Sequence, residues 1–415
     1  MDAAAQPWRE RMPDAQFEFL RRLLAAPSPI GFEGAMTHGV FEPYVREHVP
    51  KTWEIHRFRG NAGVVVDSAP GNEAAPSVML IGHADKIRMQ VRSVSEDGKI
   101  WVDSDSFLPC TVIGHDVLLF SEDPDALGTY RVIAGGTIEA IGAIHFADAD
   151  VRSGKKGITP EQLYLELHTH GEKRREQIRA LGIQAGDPII LNRPIRRGFS
   201  PDTFYGAYLD NGLGCFVVAE VARLLAESGG LRNLRFLGGV AAYEEIGRMG
   251  SRVLAHEFAP DVLIGVDVSH DYEAAPGVSD RRYTQIGMGK GYTLASGSIT
   301  SAYLNTLYQQ VSQEHDIPVQ LKVVGRDTGT DAMAAVFASI DAAATSIGFP
   351  IRNMHTISEC GHTGDLLAAI HATVELLKTM DGMNGGQGLR ADDLRSGHPR
   401  LDHSEPRYGV SEPLE

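Results

Sequence analysis

Three apolar runs in this chain each stop on side chains able to hold a metal ion, and that pattern narrows the folds open to it. Ser77-Val-Met-Leu-Ile-Gly-His83 ends on an imidazole, Phe236 to Ala242 leads into Glu244-Glu245, and Asp261 to Asp267 ends on a carboxylate. Short continuous apolar runs separated by helical stretches predict fully buried strands of an α/β sheet. In such a sheet, polar residues gathered at the carboxyl ends of the strands build the site. Neighbouring residues at a strand end point in different directions. Of Glu244 and Glu245, one can therefore bind an ion while the other faces its water. Taken alone, the pair has a plainer reading as a solvated turn.

With 415 residues the chain has room for two or three domains, or one large domain with an insertion. A net charge of −15 argues against nucleic acid and anionic membrane as partners, since both require a basic surface. No apolar run approaches the roughly 20 residues of a membrane span. The first ten residues lack the basic and then apolar pattern of a signal peptide. Cys110, Cys215 and Cys360 are odd in number and far apart, which argues against a disulfide framework and a cysteine-based zinc site. The expected compartment is the cytoplasm.

The first part of an α/β domain is predicted over residues 1–93. It contains a helix capped by Asp14, with Phe17, Leu20, Leu23 and Leu24 on one face, and the strand that ends on His83. Asp85 follows in an H-x-D arrangement, where it can accept the other ring N–H of His83 and fix its tautomer. Residues 94–196 change character to short β-rich pieces between charged and glycine-containing turns, which predicts an inserted domain. Its His145, His168 and His170 read as structural or solvated. The α/β domain resumes over residues 197–380. There Asp210 precedes a long helix, either as its N-cap or as a carboxylate shared by two metal ions. Gly287 to Thr300 is glycine-rich but matches no phosphate-binding loop, so it reads as turns near the rim of the site. A strand over Ala342 to Ile347 leads towards His355. Residues 381–415, rich in Gly, Asp, Arg and Pro, predict a flexible tail.

Gathered together, His83, Asp210, Glu244, Glu245, Asp267 and His355 close a ligand count. Each of two zinc-like ions needs about three protein ligands and an open position. If Asp210 bridges, one ion takes His83, Asp210 and Glu245, and the other takes Asp210, Asp267 and His355. Glu244 is left as general base for a bridging water. The sulfur-free donors suit Zn, Co or Mn.

Short segments in this order resemble peptidase family M forty-two, the tetrahedral (TET) co-catalytic metallo-aminopeptidases, also labelled glutamyl aminopeptidase or endoglucanase-like. They are Pro29-Ile-Gly-Phe-Glu33, His83-Ala-Asp-Lys-Ile, Leu163-Tyr-Leu-Glu-Leu with Gly186-Asp-Pro, Leu209-Asp-Asn-Gly-Leu-Gly, Tyr243-Glu-Glu-Ile-Gly, Gly265-Val-Asp-Val, Gly329-Thr-Asp-Ala and Arg352-Asn-Met-His-Thr, with Glu359 close behind. The resemblance spans about Phe17 to Leu377. It implies a mixed-sheet zinc-peptidase domain of the phosphorylase/hydrolase-like kind, with an inserted small β-rich domain for dimerisation and oligomerisation. It implies metal binding by His83, Asp210, Glu245, Asp267 and His355, a general base in Glu244, and a supporting role for Asp85. It also implies two divalent ions, short peptides as substrates, and dimers that build a tetrahedral dodecamer.

The chain departs from that family at several points. Lys86-Ile87-Arg88 stands where an acidic residue and then Ile-Gly are usual, Gly212 where Arg is usual, and Arg248-Met249-Gly250 where Arg directly precedes Gly. Lys86 and Arg88 read as solvated loop residues or oligomer contacts, or alternatively as partners for an acidic substrate group. The leading expectation is an aminopeptidase. The alternatives are an N-acyl-amino-acid deacylase or carboxypeptidase-like hydrolase with the same metals, and a non-catalytic assembly protein.

Overall fold

The apolar runs form strands that lie side by side. The computed structural model describes residues 6–104, 106–123, 125–171, 173–275, 277 and 283–396. In chain order, β1 (Glu54–Arg57), β2 (Gly63–Asp67) and β3 (Ser77–His83) come first. They are followed by β4 (Met89–Val94), β5 (Ile100–Asp103), β6 (Asp116–Glu122), β7 (Tyr130–Glu139), β8 (Tyr164–Glu166) and β9 (Pro188–Leu191). Then come β10 (Arg196–Arg197), β11 (Thr203–Gly206), β12 (Arg235–Ala241), β13 (Val262–His270), β14 (Tyr292–Gly297), β15 (Val319–Val324), β16 (Ala343–Ile351) and β17 (Glu359–His362).

Among the described residues these strands form an eight-stranded mixed sheet, a closed six-stranded barrel and a three-stranded sheet. The large sheet has the order β1-β2-β12-β3-β13-β16-β14-β15. Its central neighbours β12, β3, β13 and β16 run parallel. Both β3 and β12 are buried at every position, and β13 at all but its last. Burial on both faces is why the sequence shows unbroken apolar runs here rather than alternation. All four carboxyl ends open on one edge of the sheet.

The barrel has its own core, including Val91, Ile100, Val102, Ile138 and Ile189. It is closed by β9, which pairs with both β4 and β6. Its first strand opens at Met89, ahead of the change in character at Val94. Met89 and Val91 point inward while Arg92 and Ser93 are exposed, so the polar residues of β4 mark the shift late.

Helix Leu209–Glu227 packs across β3 and β13 and carries Asp210 to the strand ends. The approach is too close for a side chain at Gly214, where a Cβ would stand 2.7 Å from the Val266 carbonyl oxygen. Gly212 has a different neighbour. A Cβ there would stand 2.8 Å from Leu24 Cδ1, so this departure from the family belongs to the packing of the first helix and not to a substrate pocket.

Lys86 meets the same helix and overturns both readings made of it. It is 2% exposed, and its Nζ donates to the carbonyl oxygens of Leu24 and Ala26, at 2.7 and 2.5 Å. Cations near a helix C-terminus interact favourably with its dipole, and the side chain also lies over the Tyr208 ring. Arg88 is half-buried, donating to the Ile30 carbonyl and to Gln90 Oε1. Lys86 is thus neither solvated nor free to meet a substrate, and Arg88 is partly covered by the chain itself.

Two smaller expectations change. Pro13 holds the N-cap position of helix Asp14–Ala25, and Asp14 lies in the first turn. The flexible tail expected over 381–415 does not begin at 381. Asp381 accepts the main-chain N–H groups of Arg232 and Asn233, Leu389 is buried in the main core, and Ala391–Ser396 is helical. One well-placed leucine and a capping carboxylate anchor a stretch whose composition reads as unstructured. Residues 397–415 lie outside the described residues. Among the described residues no helix is long and apolar enough to cross a membrane.

Candidate active site

The four parallel carboxyl ends converge on one cluster. His83, at the end of β3, is 1% exposed. Its Nδ1 faces Asp85, 3.2 Å from the main-chain oxygen and 3.4 Å from Oδ1. That contact leaves Nε2 directed at the cluster, 3.2 Å from Asp210 Oδ1 and 3.8 Å from both Asp267 Oδ2 and Glu244 Oε2. His355, in the loop after β16, sets its Nε2 3.1 Å from Asp210 Oδ2 and 3.7 Å from Glu245 Oε1. Asp210 thus offers one oxygen to each imidazole. Potential ligand atoms of His83, Asp210 and Glu245 all lie within 4.8 Å of one another. The structure brings all six residues read from the sequence into one cluster, with Asp85 directly behind it. His145, His168 and His170 lie exposed on the barrel side, away from it.

The side chain of Asp210 does not cap its helix. Asn211 performs that task, its Oδ1 accepting the Gly214 N–H at 2.8 Å, which leaves the Asp210 carboxylate free. Asp267 does not end its strand. β13 continues to His270 in register with β16, and Ser269 and His270 face an adjoining cavity, so the apolar run stops before the strand does.

Three side chains support the cluster in ways that sequence patterns do not show. The Asp85 carboxylate accepts the main-chain N–H groups of Glu244 and Glu245, at 3.0 and 3.1 Å. It therefore clamps the Glu-Glu turn as well as backing His83. Glu359, buried on β17, accepts from the N–H groups of Leu209 at 2.6 Å, Asp210 at 3.4 Å and His355 at 2.7 Å. One carboxylate thereby sets the backbone of two cluster residues from distant parts of the chain. Its only sequence signal is its place four residues after His355. Arg248 reaches Glu244 Oε1 at 3.3 Å and is anchored from the other side by both Asp327 oxygens at 2.8 Å.

The electrostatics are those of acids crowded without enough positive charge. Burial, reinforced by neighbouring carboxylates, pushes Glu245 up to about 9 and Glu244 and Asp267 up to about 7. Burial works the same way on Asp210, but His355 and His83 outweigh it and hold that carboxyl well below its ordinary range. The bond to Asp210 lifts His355 to about 9 against burial. Burial disfavours charge on His83, yet Asp210 and Asp85 keep its pKa well above the ordinary value. A divalent cation relieves this kind of crowding. Asp210 Oδ1 and Glu245 Oε1 are buried without a hydrogen-bond partner, which leaves two acceptors open to an ion. The residues present fit a metal group.

Comparison with known proteins points the same way. The sequence pattern of the family described as M42 glutamyl aminopeptidase matches residues 63–372. The lysyl aminopeptidase of Pyrococcus furiosus is 26% identical over 369 residues, covering 88% of this chain and 98% of that protein. The glutamyl aminopeptidase of Lactococcus lactis is 23% identical over 359 residues, covering 85% of this chain and 93% of the relative. Among solved structures, a TET aminopeptidase from a marine sediment archaeon of the Thaumarchaeota superposes with a TM-score of 0.76 at 23% identity, over 88% of this chain and 96% of that one. The TET1 peptidase of Pyrococcus horikoshii, which can assemble into a tetrahedron or a large octahedral shell, superposes with a TM-score of 0.68 at 17% identity, over 86% and 99%. A strand-end cluster of this composition, on this mixed sheet, in a chain matched over most of its length, places the protein in the M42 glutamyl aminopeptidase family of metal-dependent peptidases, and it is an aminopeptidase.

Proposed function

We propose that the protein releases N-terminal residues from short peptides at a two-metal site in which Asp210 is shared. The observation that carries this reading is the span of Asp210, with Oδ1 towards His83 and Oδ2 towards His355. The side-chain distances favour a different grouping from the one read in the sequence. Asp267 stands with His83, and Glu245 approaches His355, so each half of the cluster has one imidazole, one carboxylate and a share of Asp210. Zn, Co or Mn fits these donors.

Divalent ions bound there supply Lewis-acid polarisation of the scissile carbonyl and acidify the attacking water. The chain's own residues do the rest. Glu244 sits at the cluster without being needed as a ligand, so its carboxylate takes the proton from water and delivers it to the leaving amine nitrogen. Asp85 fixes the main chain of Glu244, and Arg248 holds one of its oxygens. In this reading the barrel insertion serves self-association into dimers and a tetrahedral dodecamer that admits short peptides, and the protein works in the cytoplasm. The TET likeness supports the assembly.

The test is hydrolysis of aminoacyl-p-nitroanilides and their N-acetylated forms by chelated protein and by protein reloaded with Zn, Co or Mn. Metal-dependent release from free-amino substrates alone is the expected result. Release only from N-acetylated substrates would replace the aminopeptidase with a deacylase. Silence together with failure to bind metal would favour the assembly protein.

Arg248 adds a pH test. A general base must be ionised, so kcat/KM rises with pH through its pKa in the free enzyme. The guanidinium beside Glu244 favours the ionised form. Arg248→Met is therefore expected to move the acid limb of the kcat/KM profile to higher pH by about one unit, with the two proteins converging at alkaline pH. An unmoved limb would remove Glu244 or its contact with Arg248 from the account.

A further inference from the structure

Between the end of β12 and the Glu-Glu turn the chain changes direction at one residue. The N–H of Ala242 still bonds the Ala62 carbonyl oxygen, and the N–H of Glu244 is already given to Asp85. Tyr243, the link between them, has φ +61°. A bulky side chain in that left-handed region is strained, and such a residue persists only where its surroundings hold it.

Groups from two other parts of the chain hold this one. The Tyr243 ring lies against Gly31, where a Cβ would stand 4.0 Å from Tyr243 Cε1. Its hydroxyl oxygen accepts from Asn61 Nδ2 at 3.3 Å. The same nitrogen donates to Glu33 Oε2 at 2.6 Å, and Glu33 Oε1 accepts the Gly31 N–H at 2.8 Å. Glu33 is 1% exposed, so water competes little for its oxygens. Asn61 is itself left-handed, at φ +59°, in the turn between β1 and β2. Asparagine takes that conformation readily and tyrosine does not. One buried carboxylate therefore ties the β1–β2 turn and the segment at Gly31 to the residue that precedes Glu244.

We propose that Glu33 and Asn61 are positioning residues for the general base. They hold Tyr243 left-handed, which rotates the following peptide units so that Asp85 receives both N–H groups and the Glu244 carboxylate faces the cluster. The proposal rests on the reading of Glu244 as the base. A plainer role, in which the bonds only pin the β1–β2 turn, would cost stability and leave the chemical step alone.

Asn61→Gly tests this, because it removes both side-chain bonds and keeps a residue that accepts positive φ without strain. With the metal-loaded protein and Leu-p-nitroanilide, kcat is expected to fall by about 5- to 100-fold, the strain of Tyr243 expressed as a loss of the competent turn. KM should change little, since the interaction affected belongs to the chemical step. In a Tyr243→Asn background the left-handed turn no longer needs the network, so adding Asn61→Gly should cost little more. Hydrogen exchange of the peptide carrying the Glu244 and Glu245 N–H groups gives a readout apart from activity. Protection should fall in Asn61→Gly and return in Asn61→Gly with Tyr243→Asn. An unchanged kcat or unchanged exchange in Asn61→Gly overturns the proposal. So does an equal loss in both backgrounds, or a Tyr243→Asn protein slower than Asn61→Gly. Parent-level turnover by Glu244→Gln would overturn the general base instead, and the exchange data would still decide whether Glu33 and Asn61 set the turn.

Discussion

Glu244→Gln is expected to lower kcat by about 10²- to 10⁴-fold, the usual contribution of a positioned general base, while metal content stays unchanged. The amide keeps the size of the side chain and can still accept from Arg248, so the packing of the turn persists. It cannot take a proton. Because Glu244 lies 3.8 Å from His83 Nε2 and is not needed in either half of the ligand set, its replacement should leave the ion-holding residues in place. Elemental analysis of the purified variant checks the metal, and kcat measured apart from KM checks that the loss lies in the chemical step. A variant within tenfold of the parent, with metal bound, would assign the proton transfer to another group. A variant that loses its metal would make Glu244 a ligand.

The largest expected loss of stability lies at the opposite end of the same strands. Asp67, at the end of β2, is fully buried and takes a bidentate pair of bonds from Arg235 at the start of β12, at 3.0 and 2.6 Å. Removing one partner of such a pair strands a buried charge and typically costs about 3–5 kcal/mol. Arg235→Met should therefore shift the urea midpoint strongly downward with little change in slope. Replacing both partners, as Asp67→Leu with Arg235→Met, should recover most of the loss, because apolar groups need no counter-charge. Well below the transition, kcat should be retained, since the cluster lies beyond the far ends of β3 and β12. A midpoint that does not move would show the pair to be energetically idle.

What could be read from the sequence follows from which interactions are local. The strands ending at His83 and before Glu244 stand out because central parallel strands are apolar on both faces. The change from apolar to polar at their ends coincides with the site. Asp267 was found by the same signal although its strand runs three residues further, because Ser269 and His270 are polar for the sake of the neighbouring cavity. The division of ligands was not legible. Whether Glu245 stands with His83 or with His355 depends on how the turn after β12 is rotated, and that rotation is set by Asp85 from another strand. The task of Glu359 is not legible for a related reason. The sequence marks the residue near His355, but only the tertiary fold shows that its carboxylate accepts from the main chain of Leu209 and His355. Residues 381–396 read as unstructured because composition averages over a stretch, whereas Leu389 in the core and the bonds accepted by Asp381 are enough to anchor them.

The packing around Leu24 ties two distant positions of the chain to one helix end. Lys86 bonds the carbonyl oxygen of Leu24, and Gly212 lies against its side chain. Any side chain at position 212 would meet Leu24, and an acid at position 86 would turn a buried carboxylate towards the carbonyl oxygens of Leu24 and Ala26. Because both positions share one leucine, changes at the two should not add, and the end of the first helix acts as a junction through which a substitution at one is felt at the other.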